Sequence, residues 1–156
     1  MELRRKVSFA IGITVLAVVF AAVWLATEGA AQSVKVVEHA FTDKVIDTGK
    51  PGDSSGDLLT FHNQIFDATD TNKVGTDQGS CVREASHKGT WECMWTTTLS
   101  DGQITVEGPF SDTSDTVVAI TGGTGVSSTA SGSMDLHCYP ANNGSGRCDF
   151  TFNLVP

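Results

Sequence analysis

The stretch Gly108–Gly132, GPFSDTSDTVVAITGGTGVSSTASG, decides how the chain folds. Its run Thr121-Gly-Gly-Thr-Gly125 invites comparison with a phosphate cradle. A P-loop needs a Lys-Ser or Lys-Thr pair after its glycines, and a dinucleotide fingerprint needs a further glycine that opens a helix. Gly125 is succeeded instead by Val-Ser-Ser-Thr-Ala-Ser-Gly, made of poor helix formers with no apolar stripe of helical period. The stretch therefore reads as a strand, a glycine turn and a second strand.

The same pattern extends along the rest of the chain. After Ala31 no segment has a helical period, while alternating or β-branched runs recur between turn residues. Eight strands are expected: Ser33–Phe41, Leu58–Asp67, Val74–Ala85, Thr90–Leu99, Ile104–Phe110, Thr116–Thr121, Val126–His137 and Arg147–Leu154. Eight antiparallel strands in so short a chain close into a small all-β barrel, wide enough for side chains or one small ligand. A sandwich is the competing arrangement. The one long connection, Asp43–Gly56, has three glycines and no strand pattern, and is expected to form a mobile rim.

The N-terminus differs in kind. Arg4-Arg5-Lys6 precedes an uncharged apolar run, Val7–Leu25, and Gly29-Ala30-Ala31 supplies small residues before Gln32. These are the parts of a secretory signal helix, so residues 1–31 are assigned to a signal peptide and residues 32–156 to the barrel domain. The run is at the short end of what spans a bilayer, and an uncleaved membrane anchor is the alternative. The whole chain has 156 residues and a formal net charge of −8. Removing the leader takes away three basic and two acidic residues, leaving seven against 16 and a net charge of about −9. That balance argues against nucleic acid or anionic lipid as partners and suits a secreted, solvated domain.

Four cysteines in an exported chain point to two disulfides. Cys81 and Cys93 flank a turn centred on His87, and Cys138 and Cys148 flank the turn-rich YPANNGSGR, so each pair is predicted to bridge its own hairpin. Zinc ligation would need close Cys-x-x-Cys pairs, which are absent. The acidic segment around Asp70 and Asn72 has Val74 at its third ligand position and no closing glutamate, so it is a turn rather than a calcium loop. No metal and no cofactor are expected.

Alternation assigns the faces. Val34, Val36, Glu38 and Ala40 share the inward face of the first strand, Leu59, Phe61, Asn63 and Ile65 that of the second, and Trp91, Cys93 and Trp95 that of the fourth. Ile104, Val106 and Phe110 point in from the fifth. The interior is therefore apolar and aromatic, with Glu38 and Asn63 as polar exceptions. A carboxylate in such a place must be paired, neutralised or raised in pKa, which suits a general acid or a steering charge. A register slip of one residue would instead send Glu38 to solvent. Asn63 either orients a water or substrate carbonyl or serves Glu38. Leu59, Phe61, Trp91, Trp95 and Phe110 are candidates for a substrate-binding wall. No serine has a histidine at a recognisable spacing, so a hydrolase triad has no support.

The segments GDLLTFHNQIFD (Gly56–Asp67), VGTDQGSC (Val74–Cys81), GTWE (Gly89–Glu92), VEGPF (Val106–Phe110) and VAITGGTG (Val118–Gly125) resemble the allene oxide cyclase family, part of a wider group of barrels that includes the dirigent proteins. The resemblance implies an eight-stranded barrel whose apolar pocket fixes the conformation of a small molecule while a ring or bond forms. Plant members close a fatty-acid epoxide to a cyclopentenone, and dirigent relatives steer radical coupling. On this resemblance Glu38 matches the family's buried glutamate, Asn63 its water-holding asparagine and Cys81 a pocket cysteine, with Leu59, Phe61, Trp91 and Phe110 on the pocket wall. Four departures count against the plant reaction. Ala40 stands where a second polar residue is found, Phe110 replaces a tyrosine, a serine-proline pair is not recognisable in Asp43–Gly56, and the family cysteine, Cys81, is expected to be tied to Cys93. The expectation is a secreted dirigent-like or cyclase-like barrel acting on an apolar small molecule through Glu38 and Asn63. The alternative is a non-catalytic carrier. Family members are often homotrimers, but the polar outward faces would also suit a monomer.

Overall fold

The computed structural model describes residues 31–142 and 145–155. The expected signal helix lies outside them. Nine strands form one antiparallel sheet: β1 (Gln32–Ala40), β2 (Lys44–Ile46), β3 (Leu58–Asp67), β4 (Lys73–Ala85), β5 (Thr90–Leu99), β6 (Gly102–Ser111), β7 (Thr116–Gly125), β8 (Ser131–Asn142) and β9 (Ser145–Val155). Neighbours from β3 to β9 pair in sequence order, β9 pairs with β1, and β1 pairs with β3. The result is a closed eight-stranded barrel. The extra strand, β2, was not expected. It pairs with Leu58–Thr60 of β3, while β1 takes Gln64–Asp67, so the two share one edge of β3. All three residues of β2 are exposed, which is why no inward-outward alternation marks it in the sequence.

The glycine run corrects a second expectation. It lies within β7 rather than at a turn, and the chain reverses at residues 126–130, ahead of β8. The ladder slips between Thr105 and Val106, which face Gly122 and Ile120 and leave Thr121 as a bulge. A Cβ on Gly123 would stand 2.3 Å from the Ser127 carbonyl oxygen and 2.5 Å from that of Gln103, and Gly125 has φ 61°. Glycine is needed there because a neighbouring backbone crosses the strand, and because the strand ends in a left-handed residue.

The two ends of the barrel are filled differently. Toward the end where β3, β5, β7 and β9 finish, Ile65, Ile104, Val106, Ile120, Met134 and Phe152 pack into a solid core at 5% exposure or less. The opposite end carries the connections at 41–57, 86–89 and 112–115, and there the interior is hollow. Both cross-hairpin bridges form as predicted, Cys81–Cys93 between β4 and β5 and Cys138–Cys148 between β8 and β9. Each joins directly opposed residues.

The connection Asp43–Gly56, expected as a rim without structure of its own, has an internal frame. Asp57 is 1% exposed and accepts hydrogen bonds from the backbone N–H groups of Thr48 (2.9 Å) and Ser54 (2.8 Å). Arg83, pointing inward from β4, holds Asp53 through Nε (2.7 Å) and Nη2 (2.9 Å) and Asp112 through Nη1 (2.5 Å). One guanidinium thus ties the long connection to the β6–β7 connection at the hollow end.

Candidate functional site

The hollow end encloses a cavity of about 70 Å³. One water needs roughly 10–15 Å³ on this measure, so the space suits a few waters or a thin organic molecule. Its wall is built by strand parity. Leu59 and Phe61 come from β3, Trp95 from β5, Phe110 from β6 and Phe150 from β9, and both disulfides complete it. The polar side chains on the wall are Glu38 and Asp43. Gly79, opposite Trp95, makes room for the indole, since a Cβ there would lie 2.3 Å from the Trp95 Cβ.

Four of the five expected wall residues, Leu59, Phe61, Trp95 and Phe110, line this cavity. Trp91 does not. It is buried at the barrel end, where its ring lies 4.2 Å beneath the Arg83 guanidinium and its Nε1 donates to Asp112 at 2.8 Å. The indole is a member of the closing clasp.

Glu38 and Asn63 come together. Glu38 is 6% exposed and Asn63 1%, and Asn63 Nδ2 donates to Glu38 Oε1 at 2.9 Å. The same amide nitrogen donates to Asp43 Oδ1 at 2.7 Å. Asn63 Oδ1 accepts from the backbone N–H groups of Phe41 and Thr42, each at 3.0 Å, and from Thr42 Oγ1 at 3.1 Å. Both amide hydrogens and the carbonyl are therefore engaged by the protein, and Asn63 has no free donor for a ligand. It pins the chain where it leaves β1 and orients Glu38.

Sequence reasoning missed Asp77. It lies directly across from Asn63 on β4, 1% exposed, with Oδ1 accepting from the Asn63 backbone N–H at 3.3 Å and Oδ2 without a conventional donor. Asn63 holds this carboxyl and that of Glu38 side by side, its backbone N–H serving Asp77 and its side-chain amide serving Glu38. Burial, reinforced by the charge of Asp77, pushes Glu38 well above the ordinary carboxyl range, against the opposing pull of the Asn63 hydrogen bond. Burial likewise pushes Asp77 up to about 6. A carboxyl shifted as Glu38 is, on the wall of an apolar cavity, favours its neutral, proton-bearing form. Parity with Cys81 was the available signal for Asp77, because residues 75, 77, 79 and 81 share a face. Two glycines on that face hid it.

An allene oxide cyclase family model matches residues 29–142. The chain belongs to that family. Among solved structures, a pyocyanin demethylase superposes with a TM-score of 0.66 at 24% identity, covering 80% of this chain and 100% of that one. A pterocarpan synthase dirigent protein gives 0.70 at 15% identity over 82% and 96% of the two chains. A Diels-Alderase from Streptomyces koyangensis gives 0.62 at 16% identity over 81% and 65%. These likenesses establish the shared barrel. The solved structures of this barrel carry several chemistries, so activity has to be argued from the site.

Proposed function

We propose that this chain is an exported, dirigent-like or cyclase-like barrel that takes up an apolar small molecule and guides a ring closure or coupling inside it. The observation that carries this reading is the buried Glu38 carboxyl, held by Asn63, on the wall of a cavity lined, apart from Asp43, by aromatic rings, Leu59, Leu136 and two disulfides. In a ring closure the atoms of the substrate are conserved. One π bond or strained σ bond is consumed as the ring bond forms, and no redox partner is needed; a coupling instead joins two substrate radicals already made by a separate one-electron oxidant. Electron density that gathers on a substrate oxygen during that change is stabilised by a donor already in place in a site of low dielectric. Glu38 is that donor, and Asn63 positions it. The aromatic walls and the bridges restrict the conformations in which the substrate fits, which is the source of selectivity. The dirigent and Diels-Alderase likenesses support this class of chemistry. Export is supported by the two disulfides, which persist in oxidising compartments.

A carrier role is the second reading, favoured by the saturated Asn63 and by the absence of a hydroxyl at Phe110. The two are separated by mass spectrometry of small molecules that co-purify with the wild-type protein and with Glu38→Gln. A guiding barrel yields a cyclised or coupled compound from wild type and its unreacted precursor from the variant. The same unchanged compound from both establishes the carrier. Recovery of only charged, hydrophilic compounds sinks both readings.

A further inference from the structure

Three carboxyl groups meet around Asn63 at the cavity end of β1, β3 and β4: its side-chain amide donates to Glu38 and Asp43, and its backbone N–H to Asp77. None of the ion pairs among the described residues involves any of them. The amide of Asn63 supplies donors to Glu38 and Asp43, but no donor among the described residues reaches Asp77 Oδ2, which is buried. Three ionised carboxylates so arranged, two of them almost sealed from water, have no compensating cation, so the group must hold a proton.

We infer that Asp77 is the positioning residue of the site: it accepts the hydrogen bond of the Glu38 proton in the resting protein, fixes that proton on Glu38, and is the acceptor a ligand oxygen must displace. The inference rests on the donor role proposed for Glu38. Its chemical consequence is specific. If Glu38 surrendered its proton completely, two adjacent carboxylates would face each other beside the charge of Asp43, so the pair resists full transfer. Glu38 therefore acts on a ligand by hydrogen bonding, and the proton returns to the pair. The ligand oxygen that competes with Asp77 is neutral, as in a carbonyl, ether or epoxide, because an anionic group would meet the remaining negative charges. The titratable groups facing Glu38 are Asp77 from β4 and Asp43 from the connection after β1. β9 presents Cys148 opposite Glu38, which is bridged and does not titrate.

The test is carboxyl-carbon NMR of protein labelled at Glu and Asp, with Glu38→Gln and Asp77→Asn supplying the assignments. In wild type the Glu38 and Asp77 signals are expected to move in two shared steps, as in a coupled pair. In Asp77→Asn the Glu38 signal is expected to move in one step, with its midpoint lower by about one pH unit or more, because the neighbouring charge is gone and an amide donor replaces it. Independent single steps in wild type, or an unmoved Glu38 midpoint in the variant, would overturn the assignment. The wild-type titration alone decides the matter if the variant does not fold. Coupling without any effect of Glu38→Gln on the co-purified compound would leave the pair intact and remove only the donor role.

Discussion

Acid is expected to stabilise this barrel, and Asp77→Asn is the substitution that exposes the cause. Asp77 is raised from its ordinary 3.8 to about 6 by burial. A carboxyl whose folded-state pKa is raised binds its proton more tightly in the folded chain. Stability is therefore highest below pH 4 as far as this group is concerned, and falls as pH rises from about 4 through 6. The displacement of about two pH units corresponds to about 3 kcal/mol in total. About 1 kcal/mol of that is already lost at pH 4.5, leaving about 2 kcal/mol between pH 4.5 and 7.5 on the same linkage. Glu38, also raised by burial, adds to the decline in the same sense. Asp57 and Asp67 are lowered by backbone hydrogen bonds from Thr48 and Thr71, and act in the opposite sense. The stability they contribute is present above the ordinary aspartate pKa and is lost only as pH falls below about 4. Urea unfolding followed by tryptophan fluorescence measures the outcome. With a slope of about 2 kcal/mol/M, the wild-type midpoint should be lower at pH 7.5 than at pH 4.5 by about 1 M more than that of Asp77→Asn. Titrating groups other than Glu38 cancel in this difference, and the lowered Glu38 midpoint of the variant adds to it in the same sense. Parallel pH dependences for the two proteins would refute both the burial argument and the proton-sharing pair.

Gly79→Ala places a methyl group 2.3 Å from the Trp95 Cβ, so it should cost about 1–3 kcal/mol in urea unfolding and disturb the cavity-wall indole, visible as a shifted fluorescence spectrum. Replacing Cys138 and Cys148 together by Ala should lower stability by about 2–3 kcal/mol, because the closed segment is short, with a sequence separation of 10. The same assay checks it. Arg83→Met should release the connection at 43–56, read out as faster limited proteolysis there. Its cost should be about 1–2 kcal/mol rather than that of a fully buried pair, because Asp53 is 52% exposed and Asp112 38%.

The barrel was legible because most of its strands are half-buried and advertise the fact. Leu59, Phe61, Asn63 and Ile65 alternate with polar neighbours, and the two cysteine pairs mark directly opposed positions on hairpins. Glu38 and Asn63 were legible for the same reason, as polar residues breaking an apolar face. What the chain concealed lacked that contrast. β2 is exposed throughout, the glycine run is a strand shaped by a crossing backbone, and Asp77 shares its inward face with glycines. Trp91 was placed on the right face but at the wrong height, because parity gives direction and not depth. The clasp of Asp53, Arg83 and Asp112 joins residues far apart in sequence, and no local pattern announces it.

The two bridges sit on opposite sides of the ring of strands. β4–β5 and β8–β9 are separated by β6 and β7 in one direction and by β1 and β3 in the other, yet both reach the same cavity. They act as a pair of staples at the waist of the hollow half, so two of its walls cannot splay when a guest arrives. Adaptation to the guest proposed above would then fall to the unbridged wall side chains, Phe61, Phe110 and Phe150 among them, and to the clasp above them. A guest that fits should meet a chamber already in shape, with little ordering of the chain left to oppose its entry. One that does not fit should be turned away even when its chemistry is suitable.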